Sequence, residues 1–493
     1  MITLLALASV AATMATGLAL VCLVQRSPMS APGAAVLAAG AAYPVGALVV
    51  ATWMRALAAM GVEWSLPLAL VPPGAAVVAL AWMGRNELAV GVRAARTRVA
   101  RRDAEGVARL AWFALLGWLA LRFAFLQSEV LARPPLPWEA WLDTAARGAV
   151  WHAWRGIVPF VSPAEWDSGR YLAALPPGHS LPPLLDAYAA LIAGRFDDTV
   201  IHAPWPMFLL SQVLLVYGAV RTSGAAAVPA LASAALVGTL PLTNAHAALG
   251  GTAALPLGTY LLTAVVFASR ATSTRAPGDV AITAAAIAGM LWSSRAGVLW
   301  LPLLLPIAAA VVVRPERVPR LSAGLVACAV IAASAAARLD PFARGASPLM
   351  PAPGLGVLAE HALLHGNWHL LAYAALALGV LAWRQWSAPT LAGLSGAIGV
   401  GFAVLSVLVT TSAGRTMIGA TGIVGHASTA FAPLLALWVA QVSWAWVGAA
   451  RPPEPVPPAP VVDPGAGDAS NAQRPAAPPG DVVLPTPGLD ASR

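Results

Sequence analysis

Glu139, Asp143 and Arg147 follow one another at intervals of four in PWEAWLDTAARGAVWHAW, residues 137–154. On an α-helix that spacing puts all three on one face. Two carboxylates beside a guanidinium, flanked by Trp138, Trp141, Trp151 and Trp154, suit one kind of chemistry. They can hold an acceptor hydroxyl and take its proton. The same pattern also fits an amphipathic surface helix on which Asp143 and Arg147 pair in water.

Three further groups qualify. LPPGHSLPP, residues 175–183, carries His179 on a proline-rich turn, either as a substrate contact or as a cap of the turn. Prolines open a helix well and forbid one upstream. The following LLDAYAALIAG therefore reads as an amphipathic helix lying on the membrane. EHALLHGNWHLL, residues 360–371, spaces His361, His365 and His369 by four, as paired zinc ligands are spaced. Gly366 and Asn367 interrupt that helix, and an interfacial loop leading into a span is the reading we keep. Finally, Arg170, Arg295, Arg338, Arg344 and Arg415 sit near the ends of apolar runs, where a guanidinium meets either a substrate phosphate or a lipid head group.

The elements that must position these residues are membrane helices. Only 10% of the 493 residues are charged, against about 25% in an ordinary soluble protein. Apolar runs long enough to cross a bilayer recur along the chain, and a crossing needs about 20 residues. The sequence predicts an all-α polytopic membrane protein with about thirteen spans. Their centres lie near residues 13, 43, 74, 118, 213, 234, 260, 287, 305, 329, 375, 400 and 437. The first run, Ile2 to Val24, lacks a basic leader and a cleavage site, so it reads as a retained helix.

The net charge of +8 comes entirely from arginine and does not indicate nucleic-acid binding. Arginine placement sets an orientation instead. The connection from Gly84 to Leu110 carries Arg85, Arg93, Arg96, Arg98, Arg101, Arg102 and Arg109 and reads as cytoplasmic. Alternating outward, the N-terminus falls outside, the C-terminus inside, and the loop 128–204 outside. Between Gln127 and Pro204 the chain concentrates eight of its 21 acidic residues. Hydrocarbon supplies neither water nor counter-charge, so this loop is where chemistry is expected. Three divisions follow: residues 1–107 with three spans and the basic connection, a core at 108–449, and a Pro/Ala-rich disordered tail at 450–493. Cys22 and Cys328 both lie in apolar runs and read as buried thiols.

PWEAWLDTAARGAVW resembles the W-D-A-W…K-A segment in the first large outside loop of bacterial GT-C glycosyltransferases, a group that includes protein mannosyltransferases and the aminoarabinose transferases of lipid A. Other segments follow in the family's order. LPPGHSLPPLLDAYAALIAG is similar to H-x-x-Y-P-L-L-x-P, and GGTAALPLGTYLL (250–262) to G-Y-A-D-x-P-L-A. LWSSRAGVLWLPLL (291–304) stands where K-N-E-G-L usually does. GNWHLLAY (366–373) resembles the N-W that opens a late span, and GHASTAFAPLLAL (425–437) the helix R-L-L-x-H-x-x-P. The resemblance covers residues 108–445. It departs from the family at four places: Glu139 stands for Asp, Ala254 for the second Asp, Ser294-Arg295-Ala296 for Lys-Asn-Glu, and the region of His426 for the late Arg.

What the resemblance implies is transfer of a sugar from a polyprenyl-phosphate donor to a lipid or glycan acceptor on the outer face of a bacterial inner membrane. Glu139 would be the base, with Asp143 beside it. Arg147, Arg295 and Arg415 would meet the phosphate, and His179 and His426 would contact substrate. It implies no fixed cofactor and leaves room for a divalent metal. Membrane lipids are the other expected partners, and nucleic acid is not among them. The competing expectations are a non-catalytic glycan-lipid binder or assembly protein, and less so a transporter or an O-antigen ligase or polymerase.

Overall fold

A computed structural model describes residues 1–25, 31–83, 106–134, 140–158, 181–294, 296–312, 358–364, 367–410 and 423–450. Most of those residues are helical, with no strand among them. In chain order we name α1 (Ile2–Val24), α2 (Ala34–Ala59), α3 (Val71–Met83), α4 (Val107–Ala132), α5 (Ala146–Ala153), α6 (Leu181–Ala193), α7 (Pro204–Thr222), α8 (Ala227–Thr239), α9 (Pro241–Leu249), α10 (Ala254–Thr274), α11 (Pro277–Ser293), α12 (Leu305–Val312), α13 (Leu371–Leu381), α14 (Pro389–Thr410) and α15 (Ile423–Ala450). Six helices among the described residues are long and apolar enough to cross a membrane, or seven if the bent pair α8–α9 is one span. Each expected span centre falls within a helix except that near residue 329, which lies outside the described residues along with the 451–493 tail.

Side chains of membrane helices gain little by leaving lipid, so these helices hold together by close packing and internal hydrogen bonds. The backbones of α1 and α2 cross at Gly17 and Gly46, where a Cβ on either would run into carbonyl oxygens of the other. α2 then packs on α7, and α10 forms an antiparallel hairpin with α11. α4 is the opposite case: it touches α7, α8 and α9 along one line and exposes Leu110, Phe113, Trp118, Leu121 and Phe125. In a bilayer that apolar surface faces lipid.

Two breaks in the helices matter for function. Pro241 has no N–H, so the helix bends by 55° between α8 and α9. The freed carbonyls are taken by the chain's own donors. Asn244 Nδ2 donates to Gly238 O at 2.8 Å, and Thr243 Oγ1 to Val237 O at 3.2 Å. From the loop before α13, His369 Nε2–H donates to Thr239 O at 3.0 Å, and Trp368 is buried nearby. The second break is a π turn, Ala140–Ala145, which runs directly into α5.

Two sequence expectations change here. α6 does not lie on a membrane surface with one wet face: every residue of it except Leu191 is buried. It is enclosed by α1, α2, α5 and α11, because its lone acid has a partner inside the protein. The one-face expectation for 139, 143 and 147 assumes an α-helix, whereas residues 140–145 form a π turn; Glu139 and the Asp143 side chain lie outside the described residues. Bonding from i to i+5 widens the turn through residues 140–145, and the α-helical arithmetic fails across it.

Candidate functional site

Asp186, the only ionisable residue on α6 besides Tyr188, meets His202 at the other end of a short connection. Asp197 builds that connection: it accepts from Thr199 N at 3.1 Å, from Thr199 Oγ1 at 2.6 Å and from Arg195 Nη2 at 2.7 Å. These bonds hold its carboxyl below the usual range, the Thr199 hydroxyl most of all. The turn delivers His202 back onto α6 with Nδ1 3.8 Å from Asp186 Oδ1. Both side chains are sealed, at 0% exposure for Asp186 and 2% for His202. Among the described residues, neither Asp186 oxygen nor either His202 nitrogen has a hydrogen-bond partner within standard distance.

Burial dominates the electrostatics of the pair. It raises the Asp186 carboxyl well above its ordinary value, and the Asp198 charge adds to that. It pushes the His202 imidazole down to about 3. Both shifts act in the direction of the neutral forms, carboxylic acid and imidazole, and against an ion pair.

The walls of this site come from four elements. α5 presents Gly148 to Asp186, close enough that a Cβ on the glycine would lie 2.9 Å from Asp186 Cβ. Its neighbour Arg147 is also buried, at 3% exposure, which excludes the surface-helix alternative for this residue. On the far side, the chain leaves α9 through Gly250 and Gly251, both at positive φ (56° and 76°). A Cβ on Gly250 would stand 2.8 Å from His202 Cβ, and one on Gly251 2.6 Å from Ala140 Cβ. The paired glycines therefore let His202 and the start of the π turn meet the same stretch of backbone.

Beyond the glycines a line of polar groups continues. Trp205 Nε1 donates to Thr252 O at 2.8 Å, and Thr252 Oγ1 bonds His246 Nδ1 at 3.2 Å. The His246 ring lies edge-on to His426 of α15, centroids 5.2 Å apart. Asp186, His202, Thr252, His246 and His426 thus form a seam through an otherwise apolar bundle. Such groups are costly in a membrane protein and mark sites of function.

Of the residues singled out by sequence, His426 ends this line, and Arg147 is buried next in sequence to Gly148, which abuts Asp186. Glu139 lies outside the described residues, immediately before Ala140, and the side chain of Asp143 on the π turn is likewise undescribed. His179, Arg295 and Arg415 also fall outside the described residues. Of the three-histidine run, His369 is on a turn at φ 48° and engaged with Thr239. No group of three His, Cys, Asp or Glu among the described residues is placed to hold a metal ion.

Sequence reasoning passed over Asp186, His202, His246 and the glycine pair. A signal for Asp186 was available: it is one carboxyl in LLDAYAALIAG, a segment with no other charge to accompany it. An acid so surrounded is either a wet face or a buried pair, and only the fold distinguishes the two. Set against known proteins, the chain matches no family model, no curated protein and no solved structure.

Proposed function

We propose that the chain is a GT-C-like glycosyltransferase of a bacterial inner membrane, with its active site on the outer side at the loop 128–204. The observation that carries this reading is the polar seam under the π turn. The bundle buries an acid beside an imidazole, Asp186 and His202, and Gly251 stands against both His202 and Ala140, the residue that follows Glu139. In this reading the acceptor hydroxyl attacks the anomeric carbon of a polyprenyl-phosphate sugar. The bond from that carbon to the phosphate oxygen breaks, the polyprenyl phosphate leaves, and Glu139 or its neighbour Asp143 takes the hydroxyl proton. Arg147, with Arg295 and Arg415, neutralises the departing phosphate. His179 and His426 contact substrate, the N-terminus is outside and the C-terminus cytoplasmic.

The test is transfer of label from a polyprenyl-phosphate sugar by purified protein, compared with Glu139→Gln. The variant is expected to insert and fold normally and to lose transfer; full transfer by the variant sinks the assignment of the base.

A second reading, a non-catalytic binder of lipid-linked glycans, is favoured by one specific feature. The positions that resemble acidic motif sites carry Ala254 and Ala296, both buried. Turnover of any donor by the purified chain excludes it. The bent pair α8–α9 brings a transporter to mind, since transporters build sites at broken helices. Here the freed carbonyls are engaged by Thr243 and Asn244, which leaves no ring of open acceptors for a cation.

A further inference from the structure

A second polar site lies at the other end of the bundle. α7 and α10 both run away from the seam, and α10 with its 21 residues is about 30 Å long. Where they end, a cavity of about 630 Å³ opens between α7, α10, α12, α14 and α15. Binding sites for small molecules typically measure about 300–1,000 Å³. Its walls are divided. Val266, Leu391, Leu394 and Leu437 form an apolar floor, while Thr222, Ser223, Ser273, Thr390 and Gln441 line the rim with hydroxyls and an amide. The cavity therefore has the polarity of an amphiphile, at the level where membrane helices end and head groups begin.

The charge of the rim selects the head group. Arg270 is the one charged side chain among the described residues that line the cavity. Its Nε is held by Asp279 Oδ1 at 3.4 Å, and Asp279 also receives Thr274 Oγ1 at 2.9 Å and Gln25 Nε2 at 3.2 Å. That network fixes the guanidinium plane while its two terminal nitrogens have no protein partner among the described residues. The carbonyls at the helix ends, which would repel an anion, are covered in part: Ser223 Oγ donates to Ala219 O at 3.0 Å, and Ser273 Oγ to Arg270 O at 2.9 Å. The N-terminus of α14 adds its positive end beside Thr390. A guanidinium with two free nitrogens is built for paired contacts to phosphate oxygens.

We infer that this cavity binds a phosphate-bearing amphiphile, with the phosphate on Arg270 and the first part of the tail on the Leu394 floor. Membrane phospholipid and polyprenyl phosphate share that chemistry. The full chain, delipidated in detergent, is titrated with phosphatidylglycerol, a polyprenyl monophosphate and diacylglycerol, and bound ligand is counted by native mass spectrometry. One saturable site is expected, with at least about tenfold preference for either phosphate ligand over diacylglycerol, the worth of one charge-assisted contact. Arg270→Gln removes the preference. Leu394→Trp, which leaves the Arg270–Asp279 pair alone, weakens both phosphate ligands. Tighter binding of phosphatidylglycerol names the bilayer as the source, and tighter binding of the polyprenyl compound names a carrier lipid. Equal binding of diacylglycerol overturns the inference, as does an affinity that neither variant changes.

Discussion

Replacing Asp186 by asparagine should stabilise the protein at neutral pH, although it removes one member of a buried acid–base pair. Burial raises the folded-state carboxyl well above its unfolded value of 3.8, so the wild type loses stability as pH rises past that value. Asparagine has the same shape and never ionises. His202 acts in the opposite sense. Its folded value of about 3 lies far below the ordinary 6.5, so the unfolded chain takes up a proton first and stability is lost as pH falls. At pH 5 that loss is about 2 kcal/mol relative to neutral pH, at about 1.4 kcal/mol per unit. The two terms oppose each other between pH 5 and 7 and partly cancel in the wild type. Single variants separate them. Asp186→Asn should lose about 2 kcal/mol between pH 7 and pH 5, through His202 alone. His202→Gln should instead gain stability on acidification, through Asp186 alone, and the double variant should be flat. The 19 tryptophans make intrinsic fluorescence a suitable readout of denaturant unfolding in micelles. If the pair is ionised in the folded protein, Asp186→Asn costs about 3–5 kcal/mol at pH 7, and that result refutes the argument.

Gly251→Ala adds a Cβ 2.6 Å from Ala140 Cβ at a backbone φ of 76°, so we expect a loss of about 2–4 kcal/mol in the same unfolding assay, mostly recovered nowhere else in the glycine pair. Asn244→Leu leaves the Gly238 carbonyl at the helix break without its amide donor and should cost about 1–3 kcal/mol, with faster hydrogen exchange at residues 237–242. Asp279→Ala removes the acceptor that joins α1, α10 and α11, and should lower the melting temperature while Asp279→Asn, which still accepts from Thr274, should do so by less.

The membrane-helical class was legible because it depends on composition summed over long runs, where a few misread residues do not matter. Of the thirteen expected spans, six or seven correspond to helices among the described residues long and apolar enough to cross a membrane. The details of the site were not legible. A periodicity argument assumes one kind of helix, and the π turn at Ala140–Ala145 breaks that assumption over the very residues it was applied to. The expectation of a surface helix for α6 rests on the proline-rich turn before it, which opens a helix without saying what its faces meet. The partner of Asp186, His202, lies 16 residues on, beyond a turn, at a spacing no helical pattern predicts. His246 and Thr252 became visible only when two left-handed glycines folded α9 back onto the loop.

That glycine turn also sets an order of assembly. Trp205, three residues after His202, is bonded to Thr252, 47 residues later in the chain. As the polypeptide emerges from the ribosome and enters the bilayer, α6 and His202 arrive well before the α9–α10 corner that closes over them. Until it arrives, Asp186 and His202 are wet, and at neutral pH the carboxyl is ionised. Closure moves the carboxyl toward its protonated form, because burial raises it, and makes the insertion of α10 the step at which the loop stops behaving as solvent-exposed chain and becomes part of the bundle.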